Sequence, residues 1–446
     1  MNRRKFVIDA SLLSALAVAA PTQLLSKSEA AELPSGFTPL FNGKDLSGWV
    51  PVGHLDPRKL AAMSPEEKKA FYAKGQPELE AHWRIENGEL INDGDGPYAT
   101  TEKNYRDFEF AIDYKTYAKV DRGIYLKGNP QVQIWDFTEK DEQSLKLGKQ
   151  FGSGGLWNNA AGTPGRDPSV VADNPLGEWN RFLIRQIGAR TWVWLNGKLV
   201  VDNVIMENFY DRKAPLFVDG PIQLQTHSPK GDIHYRNIGI REIPAEEANA
   251  LLRGAKDPEG FKSLFSGTSL DAWTGAVDNY EVRDGAISCK PGKGGVLHTK
   301  DKYGDFVARV EFLLPPAGNN GLAIRYPGTG DPAYAGATEL QILDDGHEKY
   351  AKLDARQSHG SAYGMVPAYR GFLRPVGEWN YQEVTVQGPK IKVELNGSVI
   401  LNADLSTVKE FMAESAHPGK DLTEGYFGFA GHGDAVKFRN VAIKPL

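Results

Sequence analysis

The chain has a single cysteine, Cys289, among 446 residues. One thiol excludes an internal disulfide, a cysteine-rich zinc site and a dithiol redox pair. No strong excess of one charge is present: the formal net charge is −5, which favours no polyanionic partner such as nucleic acid. Long apolar runs are also missing. The one near the start, Leu12 to Ala20, falls short of the ~20 apolar residues that span a bilayer. There is no strand-to-helix glycine loop for a phosphate, no Gly-x-Ser-x-Gly elbow and no Ser-His-Asp order. What is abundant is turn chemistry, with 48 glycines and 27 prolines, and aromatic residues at 10%. With 24% charged residues this is a globular, loop-rich composition that fits β structure better than a helical bundle, and the length allows two or three domains.

The N-terminus reads as an address. Arg3-Arg4 precede the short apolar run, and Ser28-Glu29-Ala30 offers a cleavage site. Residues 1–30 are therefore expected to be a twin-arginine signal peptide and the mature protein to be periplasmic or secreted, with no integral membrane segment. No cysteine follows the run, which excludes a lipoprotein. The twin-arginine route carries folded proteins that often hold a cofactor, a hint of a metal.

The chain repeats itself at a period of about 200 residues. Leu40-Phe41-Asn42-Gly43 to Trp49 returns as Leu264-Phe265-Ser266-Gly267 to Trp273. Gly123-Ile124-Tyr125-Leu126-Lys127 returns as Gly321-Leu322-Ala323-Ile324-Arg325, Gly177-Glu178-Trp179-Asn180 as Gly377-Glu378-Trp379-Asn380, and Arg236-Asn237-Ile238 as Arg439-Asn440-Val441. Thr191 to Leu195, Asn196-Gly197 and Lys198 to Val201 form a hairpin pattern with a type I′ turn, repeated around Asn396-Gly397. Strands alternating at period two, with turns between them, predict an all-β protein of two tandem double-sheet sandwiches, over 33–243 and 259–446. A helical linker is expected over 244–258, and Ser64-Pro65-Glu66-Glu67 predicts a helix inserted in the first half.

These motifs resemble the 3-keto-disaccharide hydrolase family, also described as 3-keto-glucoside lyase and 3-keto-glucal hydratase domains. The resemblance rests on the opening Leu40 to Trp49, on Asn320 to Arg325, Glu339-Leu340-Gln341-Ile342-Leu343-Asp344, Gly377 to Asn380, and Gln225-Thr226-His227 before Arg236-Asn237-Ile238. It covers nearly the whole chain after the leader, twice. It implies concanavalin A-like jelly rolls and a substrate sugar oxidised to a ketone at C3. The halves depart from the pattern differently. The first has Gln131 and Lys127 where the second keeps Glu339 and Arg325, and the second lacks a glutamine matching Gln225.

A 3-keto group acidifies the C2 hydrogen, so cleavage by elimination needs a base, a group that holds the developing oxyanion, and a proton donor for the leaving oxygen. The catalytic set expected here is Glu339, Arg325, His432 and Tyr363, with Glu339 as base, Arg325 at the oxyanion, His432 as acid and Tyr363 in a covering loop. Gln341, Glu311, Lys127, Gln133, Gln225 and His227 are expected to bind substrate. Glu339 and Gln341, two apart on a strand, share a face, and Arg325 and Glu311 on preceding strands are expected to join them. An α-hydroxyketone chelates divalent cations, so a metal is expected, of unassigned identity, and no organic cofactor. Two other readings stand beside this one. One is a lectin-like binding module, since fold does not fix function. The other is a sandwich glucanase, with Glu339, Gln341 and Asp344 in place of its catalytic strand.

Overall fold

The computed structural model describes residues 32–228, 230–255 and 259–446. The expected leader, and the end of the expected linker, lie outside the described residues. Each half is a sandwich of a five-stranded and an eight-stranded antiparallel sheet with the same strand order. In the first half the five-stranded sheet runs Trp49–Val52, Tyr98–Thr101, Gln223–Leu224, Asp121–Leu126, Asn129–Trp135. In the second it runs Trp273–Gly275, Gly295–Tyr303, Gly425–Gly431, Asn319–Tyr326, Thr338–Leu343.

Period-two alternation sorts each strand of these sheets between core and outer face. Ile124, Leu126, Val132, Ile134 and Leu224 are buried in the first core, and Leu322, Ile324, Leu340, Ile342, Phe427 and Phe429 in the second. Their neighbours, among them Asp121, Gln131, Gln133, Glu339 and Gln341, are thereby turned to the other face. The family-like glycines make that face usable. A Cβ on Gly321 would lie 2.0 Å from Glu339 Oε1, and one on Gly123 would lie 2.8 Å from Gln131 Cδ. Only glycine leaves room for the side chain across the ladder.

Repeated motifs prove to be scaffolding. Asn196 and Asn396 hold the left-handed turn position at φ 50° and 49°. They also donate to Asn180 and Asn380 at 2.7 and 2.8 Å, which ties each hairpin to its Gly-Glu-Trp-Asn motif. Arg236 and Arg439 each stack 4.0 Å over the centroids of Trp179 and Trp379.

The halves are docked. Helix Ala245–Ala255 buries Ala248, Asn249 and Leu252, and its apolar face packs with Ile187, Trp192 and Tyr381 from the two eight-stranded sheets and with Ile243 just before the helix. Helix 245–255 is thus an interface element rather than an exposed tether. The hairpin turn at Gly188 meets the turn at Gly397, with Ala189 N donating to Gly397 O at 3.1 Å. Arg374 reaches across to Asp107 at 3.0 Å with both side chains almost fully buried, and Arg190 pairs with Glu394. Asp107 Oδ1 also accepts from Gly188 N at 2.9 Å. Removing one member of a buried pair strands the other charge, at a cost of about 3–5 kcal/mol. Asp107→Ala is expected to lower stability by that order, read as a lower urea midpoint.

Candidate functional site

In the second half the outer face of the five-stranded sheet brings Glu339, Gln341 and His432 together. His432 Nε2 lies 3.5 Å from Glu339 Oε1. The Glu339 side chain is 4% exposed and that of His432 46%, so the carboxylate is roofed and the imidazole reaches solvent. Burial pushes the Glu339 carboxyl up, against the pull of His432. The hydrogen bond to Glu339 raises His432, against its own burial. Gln341 donates to Asn319 Oδ1 at 2.7 Å, and its own Oε1 is buried with no hydrogen-bond partner. Tyr363 is pinned through its backbone N–H to Glu339 O at 3.0 Å. Its hydroxyl accepts from Gln357 at 2.9 Å, and its ring meets Tyr334 edge-on at 6.3 Å.

Arg325 is not part of this cluster. It sits at φ 49°, and the pairing with Gly425–Gly431 slips between Ala323 and Tyr326. That break in the alternation swings the side chain off the outer face. Its guanidinium donates to Gly304 O, Gly388 O and Leu422 O at 2.8–2.9 Å, and to Asp305 at 2.8 Å. Lys127 does the same in the first half: φ 56°, fully buried, Nζ on Gly188 O at 2.8 Å. Both cations lock the five-stranded sheet to a hairpin turn of its partner sheet. Glu311 is corrected as well. It lies on the outer face of the eight-stranded sheet, the far side of the sandwich from Glu339, because Val310 and Phe312 beside it fill the core. There it accepts from Arg439 at 2.8 Å and Asn440 at 3.0 Å and pairs with Arg253.

The first half carries a cavity of about 480 Å³ over the corresponding face. Asp121, Gln131, Gln133, Gln225 and His227 line it with Tyr98, Tyr125, Trp135, Trp157 and His54. Gln133 donates to Asp121 Oδ1 at 2.8 Å and accepts from Gln131. His227 Nδ1 is 4.0 Å from Asp121 Oδ2. Burial raises the Asp121 carboxyl, with His227 pulling the other way. Gln225 Oε1 is buried without a partner. Trp135 and Trp157 spend their indole N–H groups on Gly152 O and Leu147 O at 2.8 and 2.9 Å, and meet edge-to-face at 6.0 Å.

Sequence reasoning passed over Asp121 and the aromatic wall. The signal was present: Asp121 is two residues before Gly123, as Asn319 is before Gly321, and so shares its face. Each cluster is built from its own half.

Among the described residues no three of His, Cys, Asp and Glu converge as ligands. The acidic turn is occupied otherwise, with Asp344 accepting from Ala317 N at 2.9 Å and Asp345 held by Arg370 at 3.2 Å. Asp344, so engaged, is held away from the role of the second carboxylate on a glucanase's catalytic strand.

If the Glu339 charge is what raises His432, Glu339→Gln removes the attraction and leaves the burial. The imidazole pKa is then expected to fall, measured as the midpoint of the His432 ring-proton titration by NMR. An unchanged midpoint would show that the pair does not interact.

Comparison with known proteins agrees with the repeat. The model of the 3-keto-alpha-glucoside-1,2-lyase-like domain matches residues 36–241 and again 260–444. A 3-keto-disaccharide hydrolase from Bacteroides thetaiotaomicron is 26% identical over 231 residues, 43% of this chain and 80% of that protein. Among solved structures, a candidate glycosyl hydrolase from Parabacteroides distasonis covers 43% of this chain and 95% of its own, at 24% identity and a TM-score of 0.37. The carbohydrate-binding module CBM66 from Bacillus subtilis covers 39% and 95%, at 13% identity and a TM-score of 0.25. The chain belongs to the 3-keto-alpha-glucoside-1,2-lyase-like family and carries its domain twice.

Proposed function

We propose that the protein cleaves the glycosidic bond of 3-keto-glycosides by abstraction of the C2 proton, elimination and hydration, with the second half's Glu339 and His432 as the acid–base pair. The observation that carries this is a buried carboxylate 3.5 Å from a half-exposed imidazole on the outer face of the five-stranded sheet. Desolvation makes Glu339 a stronger base than an exposed carboxylate. The C2 proton passes to Glu339, and the electron pair moves into the C2–C3 bond and onto O3. As the ketone re-forms, the C1–O bond breaks and the leaving oxygen takes a proton from His432. Water then adds at C1 of the enone and gives a proton back to His432, and Glu339 returns its proton to C2.

Arg325, spent on backbone carbonyls, does not hold the oxyanion. Near the pair are Gln341 on the same strand face, Tyr363, held through its backbone to Glu339 O, and Asp331, whose charge acts on both Glu339 and His432. The phenol accepts from Gln357 and so keeps its own proton to donate. Gln341 Oε1, buried and unpartnered, is placed to accept from a sugar hydroxyl.

The mature protein is expected to release sugar from a 3-keto-disaccharide and none from its unoxidised parent. Glu339→Gln keeps the shape of the side chain and removes the base. A general base is worth ~10²–10⁴-fold, so the second half's share of turnover drops out while the fold stays intact. Release from both sugars would indicate ordinary glycoside hydrolysis, and release from neither a binding protein.

A further inference from the structure

The register of the two five-stranded sheets aligns the two clusters residue by residue. Gly123 pairs with Gln133 as Gly321 pairs with Gln341, and Leu224 pairs with Ile124 as Phe429 pairs with Leu322. It follows that His227 stands where His432 stands, Gln131 where Glu339 stands, and Asp121 where Asn319 stands. The hydrogen bond between the last of these and the glutamine opposite is kept: Gln133 to Asp121 at 2.8 Å, Gln341 to Asn319 at 2.7 Å. An acid and an amide have therefore exchanged strands. Each half keeps one carboxylate beside its histidine, but the first half supplies it from Asp121–Leu126 and the second from Thr338–Leu343.

Stability does not account for a charge at position 121. The Asp121 side chain is 20% exposed, its histidine is 4.0 Å away and 51% exposed, and such a pair repays little of the cost of desolvating a carboxylate. An asparagine makes the same hydrogen bond from the glutamine without charge, as Asn319 does. What surrounds Asp121 is a site. The cavity of about 480 Å³ lies within the ~300–1,000 Å³ of small-molecule pockets. Two indoles whose N–H groups are already engaged turn apolar surface to it, as a pyranose face requires. Gln225 is 6% exposed, and its Oε1 waits for a donor. Arg122, fully buried, donates to the carbonyls of Asp121, His227 and Gly231, which fixes the backbone on both sides of the pair.

We propose that the first half's cavity is a second catalytic site for keto sugars, in which Asp121 with His227 carries out the proton transfers that Glu339 with His432 carries out in the second half. The inference rests on the proton-abstraction reading above. The C2 proton goes to the Asp121 carboxylate and the electron pair to O3 through the C2–C3 bond. The C1–O bond breaks as the ketone re-forms, the leaving oxygen is protonated from His227, and water adds at C1, giving a proton back to His227, while Asp121 reprotonates C2. Because the base stands on the neighbouring strand, it meets the ring from a different edge, so the two sites select different keto-glycosides.

The test measures sugar release from a panel of 3-keto-disaccharides by the full chain and by three variants. Glu339→Gln alone is expected to leave measurable release. Adding Asp121→Asn is expected to reduce that residue by at least tenfold. Adding Gln131→Glu to this double variant rebuilds the second half's arrangement in the first and is expected to restore release. Restoration also shows that Asp121→Asn had not simply unfolded the domain. If the unaltered protein is active and Glu339→Gln abolishes all release, or if Glu339→Gln lowers release and Asp121→Asn leaves the residual rate untouched, the second site is overturned and the reading of the second half stands; release untouched by both substitutions overturns both. An unaltered protein that releases nothing from any keto sugar overturns that reading, and the second site with it.

Discussion

In the second half a carboxylate buried against a histidine on the outer face of the five-stranded sheet is the constraint around which the site is arranged. A desolvated charge is tolerated only where neighbours compensate for it. In the second half His432 supplies the compensation and the space comes from Gly321, where any Cβ would strike Glu339. The core supplies the rest: apolar residues on one side of each strand oblige the polar ones to share the other. The Glu339–His432 pair and the packing are therefore consequences of the same alternation, and the sheet that carries the pair is also a wall of the core.

The opposite sheet does the structural work. Its outer faces meet across helix Ala245–Ala255, and its cations are committed to carboxylates and to aromatic faces. Docking through the eight-stranded sheets leaves the five-stranded faces of both halves outside that seam. Two sandwiches joined in this way carry two separate clusters, one on the outer five-stranded face of each half.

Much of this was legible in the sequence. The repeat and the hairpins at Asn196-Gly197 and Asn396-Gly397 announced two β-sandwiches, because turn chemistry and period-two alternation are local properties. Glu339, Gln341 and His432 were legible for the same reason. Arg325, Lys127 and Glu311 were misplaced because their positions depend on non-local facts. A left-handed residue and a slipped register turn Arg325 away, and Glu311 belongs to the other sheet. Asp121 is not legible in the repeat, which aligns Gln131 with Glu339 and shows only a lost acid. The compensating acid sits on the adjacent strand, and only the ladder shows the two as neighbours. The cavity's aromatic wall draws on residues from His54 to Trp157, whose convergence no spacing reveals.

The central claim is that the protein removes the C2 proton of a keto sugar. The most direct measurement uses a 3-keto sugar whose C1 substituent cannot leave, such as a 1-deoxy derivative, incubated with the protein in deuterium oxide and followed by NMR. The account predicts loss of the C2 proton signal, at a rate above that of the sugar alone, with no cleavage. A C2 proton that persists at the uncatalysed rate, in a protein that still cleaves 3-keto-disaccharides, would contradict it and place the chemistry at C1.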